Sequence, residues 1–129
     1  IIDALPGELR EQTKAFLAMS LKAVVTQVLC KTPDGRGRRA VLEILVNTRA
    51  IAKLITTDQT HQIPSQLQTG KDMGMQLMDQ ALLDAINRKE IDPDDAYRYA
   101  NDKRKFTRFV TDTDIVPTID VGGNEKLVQ

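Results

Sequence analysis

From Glu8 onward, Leu9, Phe16, Leu17, Leu21, Val24, Val25 and Val28 recur at helical spacing, with Arg10, Glu11, Lys14, Ser20, Lys22 and Gln27 between them. An apolar stripe of that period lets one face of a helix leave water, so the pattern predicts a long amphipathic helix entered just after Pro6-Gly7. Between residues 25 and 31 β-branched side chains become denser, and Pro33-Asp34-Gly35-Arg36-Gly37 follows as a turn signal before an apolar run over residues 39–46. β-Branched residues suit the pleated surface of a sheet, and Asp-Gly suits a tight reversal. The reading is a helix that runs into a short strand and then a hairpin.

After Asn47-Thr48, a natural cap, residues 50–55 form a short helix that places Ile51, Leu54 and Ile55 on one face. Ser65 begins another short helix, which Gly70 closes as a C-cap. Met75, Met78, Leu82, Ala85 and Ile86 repeat at helical spacing within residues 73–88. Asp92 then caps a helix with Pro93 at its first position, Asp94 and Asp95 at the positive end of the macrodipole, and Ala96, Tyr97 and Ala100 packed inward. Beyond Thr111 the chain passes through Pro117, Gly122-Gly123 and Asn124 without helical periodicity, which predicts a loose tail over 111–129. The fold class is mostly α with a short β-hairpin.

At 129 residues the chain is long enough for one domain with a real core. Aromatics are few and tryptophan is absent, so the core is expected to be aliphatic. Basic and acidic residues balance at 18 each, and no global field draws the chain to nucleic acid or an anionic membrane. Cys30 is the only cysteine, which excludes an intramolecular disulfide and a cysteine-based zinc site, fits a reducing cytosol, and reads as a small half-buried apolar residue. The opening Ile1-Ile2-Asp3-Ala4-Leu5-Pro6 carries no initiator methionine, signal peptide or membrane span, and suggests an upstream element that has been cut away.

Candidate chemistry is sparse. Gly35 and Gly37 lack the Gly-x-x-x-x-Gly-Lys-Ser/Thr spacing that aims successive amides at a triphosphate, so a hairpin turn explains them. His61 is the only histidine, with no nucleophile elbow at Ser20 or Ser65 and no second histidine at metal-ligand spacing, and reads as a loop or helix-end residue. Asp92, Asp94 and Asp95 lack the glycine and glutamate of a calcium loop, and capping accounts for them. Met73, Met75 and Met78 read as core filler before they read as an adaptable binding surface. Lys103-Arg104-Lys105 and Arg108, interleaved with Phe106 and Phe109, form the one basic aromatic cluster; on a neutral chain a solvated helix end is preferred to a nucleic-acid site. No catalytic, cofactor-binding or metal-binding role is assigned.

One stretch goes further. Residues 62–82, Gln-Ile-Pro-Ser-Gln-Leu-Gln-Thr-Gly-Lys-Asp-Met-Gly-Met-Gln-Leu-Met-Asp-Gln-Ala-Leu, resemble a signature in the C-terminal region of pilus-retraction, or twitching-motility, ATPases. The family's Ile-Gln-Thr-Gly-x-x-x-Gly-Met-Gln-Thr-(Met/Leu)-Asp pattern is met by Leu67-Gln68-Thr69-Gly70, Gly74-Met75-Gln76 and Met78-Asp79, with Leu77 departing. Ile1-Ile2-Asp3-Ala4-Leu5-Pro6 resembles the family's Arg-Ile-Ile-Asp-x-Phe-Pro, Val24-Val25-Thr26-Gln27 its Val-Ile-Ser-Gln, and Gly37-Arg38 with Glu43-Ile44-Leu45 its Gly-Arg hairpin and following strand. Residues 50–57 keep the apolar positions of the Ala-Ile-Arg-Asn-Leu-Ile-Arg-Glu box associated with retraction, and replace both arginines and the glutamate.

The resemblance covers residues 1–110 and implies the C-terminal helical subdomain of a RecA-like P-loop ATPase whose whole is α/β. It implies a hexameric motor that binds ATP and magnesium in parts outside this chain, with other subunits and an inner-membrane pilus or secretion platform as partners. A cytoplasmic location, with peripheral attachment at the inner membrane as an option, follows, with neither nucleic-acid binding nor membrane insertion. Ala50, Ile51, Leu54, Ile55, Gln68, Thr69, Gly70, Gly74, Met75 and Asp79 become candidates for coupling or interface contacts, against their plainer role as core residues. The alternatives are the corresponding part of a type II secretion or pilus-assembly ATPase, and a stand-alone helical interaction module.

Overall fold

The computed structural model describes residue 4, residues 6–121 and residues 125–128. Its elements are α1 (Gly7–Ser20), β1 (Ala23–Lys31), β2 (Arg38–Val46), α2 (Arg49–Thr56), α3 (Ile63–Thr69), α4 (Met78–Asn87), α5 (Pro93–Tyr99), β3 (Thr118–Val121) and β4 (Glu125–Val128). Single 3-10 turns occur at Thr60–Gln62, Lys71–Met73, Lys103–Lys105, Thr107–Phe109 and Thr113–Ile115. The expected class holds: mostly helical, with β1 and β2 as an antiparallel hairpin. Most of the opening segment that resembles the family's Ile-Ile-Asp motif, and Gly122-Gly123-Asn124, lie outside the described residues.

α1 and α4 stop or start where periodicity did not place them. α1 ends at Ser20, because Leu21 turns extended and Val24, Val25 and Thr26 go into β1. β-Branched side chains crowd a helix and pack well on a strand. The end is fixed by Asn47, whose Nδ2 donates to Ala18 O at 3.0 Å and Leu21 O at 2.8 Å, filling carbonyls that a terminating helix leaves open. Likewise α4 begins at Met78, not near Met73. Gly74 takes a left-handed φ of +81°, and Gln76 pairs with Ile44 in an antiparallel bridge while its Nε2 donates to Leu42 O at 2.7 Å.

That break separates two cores. Where the sequence suggested one helical domain over 1–110, the chain divides into two compact units, one of residues up to Thr26 with Leu42–Leu77, the other of Gln27–Val41 with everything from Met78. In the first, Ile51, Ile55, Leu67 and Met75 form a buried apolar cluster flanked by Leu17, Leu21 and Ile63. In the second, Cys30, Leu82, Ile91, Ala96 and Phe106 are fully enclosed, with Met78, Ile86 and Tyr97 around them. Each large apolar side chain buried this way stabilises its unit by about 1.5–3 kcal/mol. Met75 and Met78, which share a helical stripe on paper, therefore serve different cores.

Polar residues tie the first unit as well. Lys14, expected on the solvent face of α1, is buried and ion-paired with Glu11 at 3.0 Å and with Asp58 at 3.2 Å. Asp58 sits at φ +60°, a left-handed position that Asp tolerates better than most residues. Residues 111–116, expected as the start of a loose tail, are instead held: Thr111 N donates to Asp94 Oδ1 at 2.7 Å, and Val116 is buried in the second core. Beyond them β3 pairs with β4, Thr118 opposite Val128.

Gly70 does end α3, yet at an ordinary negative φ of −87°. Space, not handedness, demands the glycine: a Cβ there would lie 2.6 Å from Met75 Sδ and 2.9 Å from Gln66 O. The sulfur could swing away, but the backbone oxygen could not. Gly70→Ala should therefore cost about 1–3 kcal/mol, an overpacking penalty that urea denaturation would read as a lower midpoint at unchanged slope.

Candidate functional site

α2 is the centre of the candidate surface, and its geometry follows from its cap. Thr48 Oγ1 accepts from Ile51 N at 3.3 Å, which starts the helix so that Ile51, Leu54 and Ile55 fall on one buried face. The opposite face is left with Arg49, Ala50, Lys53, Thr56 and Thr57, all exposed. Thr56 Oγ1 donates to the carbonyls of Ala52 at 3.2 Å and Lys53 at 3.0 Å, and Thr57 Oγ1 to Lys53 O at 2.7 Å. Two of the three positions where the resembled box carries charge thus hold hydroxyls turned back on their own helix.

The ten candidates separate by burial. Ile51, Ile55 and Met75 meet in the first core, Leu54 is buried on the same helix face, and Gly70 is packed against Met75. Ala50, Gln68, Thr69 and Gly74 are exposed, with the Thr69 hydroxyl donating to Ser65 O at 3.1 Å. Asp79 belongs to the second unit, where its buried carboxylate accepts Asn101 N at 2.8 Å and Asp102 N at 2.9 Å. No local signal could have announced that role, since its partners lie 22 and 23 residues away.

The aspartates around α5 do more than cap it. Asp92 Oδ1 accepts from Asp94 N at 2.8 Å and Asp95 N at 3.3 Å, as the sequence suggested. Asp95 Oδ2 additionally accepts Lys31 N at 2.8 Å, and Asp94 takes the backbone N–H groups of Thr111 and Asp112 and the Thr111 hydroxyl. Burial, the largest single influence on Asp94, raises its pKa; the hydrogen bonds from Thr111 and Asp112, helped by Arg98, together outweigh it and leave the pKa below the usual value.

The basic aromatic cluster is structural. Phe106 is fully buried and unavailable for stacking on a ligand. Lys103 Nζ donates to Tyr97 O at 2.9 Å, Arg98 O at 3.0 Å and Ala100 O at 3.3 Å, closing the C-terminal end of α5 while lying 5.1 Å from the Tyr97 ring centre. Arg108 stacks over Phe109 at 4.6 Å.

The hairpin loop is not built as a phosphate cradle. The glycine-bearing loop after β1 joins two strands, and its N–H groups are occupied: Gly35 N by Thr32 O at 2.9 Å, Arg36 N by Asp34 Oδ1 at 3.1 Å, Gly37 N by Thr32 Oγ1 at 3.0 Å. Amides already bonded internally cannot cradle a triphosphate, so this loop does not fit one. Among the described residues, no group of three or more His, Cys, Asp or Glu is placed to hold a metal. Cys30, fully enclosed and not half-buried as expected, has its thiol pushed up to about 11 by burial and by Asp95 and Asp92. A neutral, enclosed thiol is a poor nucleophile at pH 7.

No protein-family profile matches the chain. It is 38% identical over 117 residues to the type IV pilus ATPase PilU of Pseudomonas aeruginosa, covering 88% of this chain and 31% of that protein. It is 40% identical over 107 residues to a twitching motility protein of Neisseria gonorrhoeae, covering 83% of this chain and 29% of that protein. Among solved structures, that of the pilus retraction motor PilT with bound ADP superposes with a TM-score of 0.70 at 28% identity, over 84% of this chain and 29% of that one. The chain thus spans under a third of the length of the relatives it matches.

Two measurements separate core from surface here. Asp79→Ala leaves two N–H groups without an acceptor and should cost about 2–4 kcal/mol in a denaturant titration, whereas Gln68→Ala should stay within about 0.5 kcal/mol. Asp94, whose folded pKa is depressed, contributes stability that is fully present above its unfolded pKa and is lost as pH falls through the folded one. Melting temperature followed from neutral pH into the carboxylate range should therefore drop less steeply for Asp94→Asn than for the unaltered chain, from a lower starting point.

Proposed function

Because this chain belongs to the PilT-like pilus ATPases, we propose that it is the C-terminal part of a hexameric pilus-retraction motor, lacking nucleotide motifs, and that it passes ATP-driven motion through subunit interfaces. The observation that carries this reading is the fold likeness to the pilus retraction motor over most of the chain, beside sequence identity to pilus ATPases over the same stretch.

In this reading ATP and magnesium are held by the nucleotide-binding half of the whole protein, and this chain is a lever. A lever needs stiff parts and a contact face. Ile51, Leu54, Ile55 and Met75 supply stiffness by filling the first core, and Asp79 does so by pinning residues 101 and 102 in the second unit. Ala50, Gln68, Thr69 and Gly74 are left to meet a neighbouring subunit or the pilus platform at the inner membrane. Cytoplasmic placement belongs to the same proposal; among the described residues no helix is long and apolar enough to cross a membrane.

The test compares ATP binding and turnover in the 129-residue chain with a protein in which it is joined to a nucleotide-binding half. The chain alone should neither bind nor hydrolyse ATP, and the joined protein should do both. Turnover by the chain alone, or silence in both, would sink the motor reading.

A further inference from the structure

In the second unit the hairpin connection and the end of α4 flank a shallow, open surface depression, lined by Thr32, Asp34, Arg36, Lys89 and Glu90 among others. Its carboxylates are turned to partners within the chain, Asp34 keeping its charge on neutral donors and Glu90 paired with arginines. Asp34 Oδ1 accepts the Thr32 hydroxyl at 2.6 Å and Arg36 N at 3.1 Å, and Glu90 sits between Arg39 at 3.2 Å and Arg88 at 3.8 Å. Its two lining cations are not: Arg36 and Lys89 are exposed, and neither side chain is ion-paired among the described residues.

Lys89 also stands where lysine is the wrong residue for stability. Lys89 N donates to Ile86 O at 2.8 Å and Glu90 N to Ala85 O at 2.9 Å, the double bond pattern that closes a helix through a left-handed residue. Lys89 is that residue, at φ +57°, a conformation that glycine adopts without a Cβ clash. A backbone outlier kept against local preference points to use of the side chain.

We propose that this hollow docks an acidic segment of a partner protein, with the Arg36 guanidinium and the Lys89 ammonium each taking a carboxylate. Charge complementarity selects the occupant. A phosphate cradle would need free backbone donors, and those of Gly35, Arg36, Gly37, Lys89 and Glu90 are all bonded within the chain. A single-stranded nucleic acid would need a stacking platform, and no aromatic side chain lines the hollow. A membrane surface would need apolar side chains to insert, and Pro33 is the only apolar side chain in the lining. A guanidinium fork matches a carboxylate in two parallel hydrogen bonds. With 18 charges of each sign on the chain, the attraction is local and screened by salt. The site is independent of the motor reading.

The experiment measures fluorescence anisotropy of a labelled, short alternating Asp-Glu peptide titrated with the full chain, beside phosphatidylglycerol vesicles and single-stranded DNA as competing probes. The peptide should bind at low ionic strength and weaken as salt rises. Lys89→Gly should raise the melting temperature yet loosen the peptide several-fold, and Arg36→Ser with Lys89→Gly should loosen it about tenfold. The gain in melting temperature certifies that lost binding is not lost folding. Absent peptide binding, affinity unchanged in the double variant, or tighter binding of the vesicles or the DNA would each overturn the proposal.

Discussion

The second unit is organised around the backbone of Lys31. Its N–H donates to Asp95 Oδ2 and its carbonyl accepts from Asp92 N, both at 2.8 Å, so the end of β1 is clasped from both sides by the start of α5. A buried carboxylate without partners would cost several kcal/mol, and here the strand end satisfies it. The clasp fixes where Cys30 lies, sealing it into the core one residue earlier. It also decides which way the hairpin connection leaves the core, toward the end of α4, where Arg39 reaches Glu90. The α4 terminus and the hairpin tip are brought together by this arrangement, and no local preference of either would do so.

The first unit solves the same problem with an amide and an ammonium. Asn47 closes α1 from a distance of 26 to 29 residues, and Lys14 joins α1 to the turn after α2 through Asp58. Around these ties the apolar face of α2 is committed to the core. The residues that a pattern reader would pick as contact points, Ile51, Leu54 and Ile55, are the ones least able to touch anything else. Of the residues singled out in this unit, Ala50, Lys53, Gln68, Thr69 and Gly74 are the exposed ones.

Such a surface differs in kind from the charged box it resembles. With Thr56 and Thr57 bonded to their own helix, α2 offers the Arg49 guanidinium, the Lys53 ammonium and methyl groups.

The sequence by itself determined the elements whose signals are local. Thr48 and Asp92 cap helices because their side-chain oxygens reach amides two or three residues on, Gly35 turns the hairpin at φ +67°, and the faces of α2, α4 and α5 follow from spacing. The ordered motifs were also enough to point to the pilus ATPases. Tertiary structure decided the rest. Helical spacing continued through Val24 and Val25, but long-range bonds from Asn47 ended the helix at Ser20. It continued through Met75 and Met78, but the Gln76–Ile44 bridge split them between two cores. Lys14 reads as polar surface and Asp79 as a coupling or interface candidate; both are buried, because groups that satisfy them come from distant parts of the chain. Periodicity reports which side of an element is apolar; which elements meet, and so which polar atoms find partners, depends on contacts that no stretch of sequence contains.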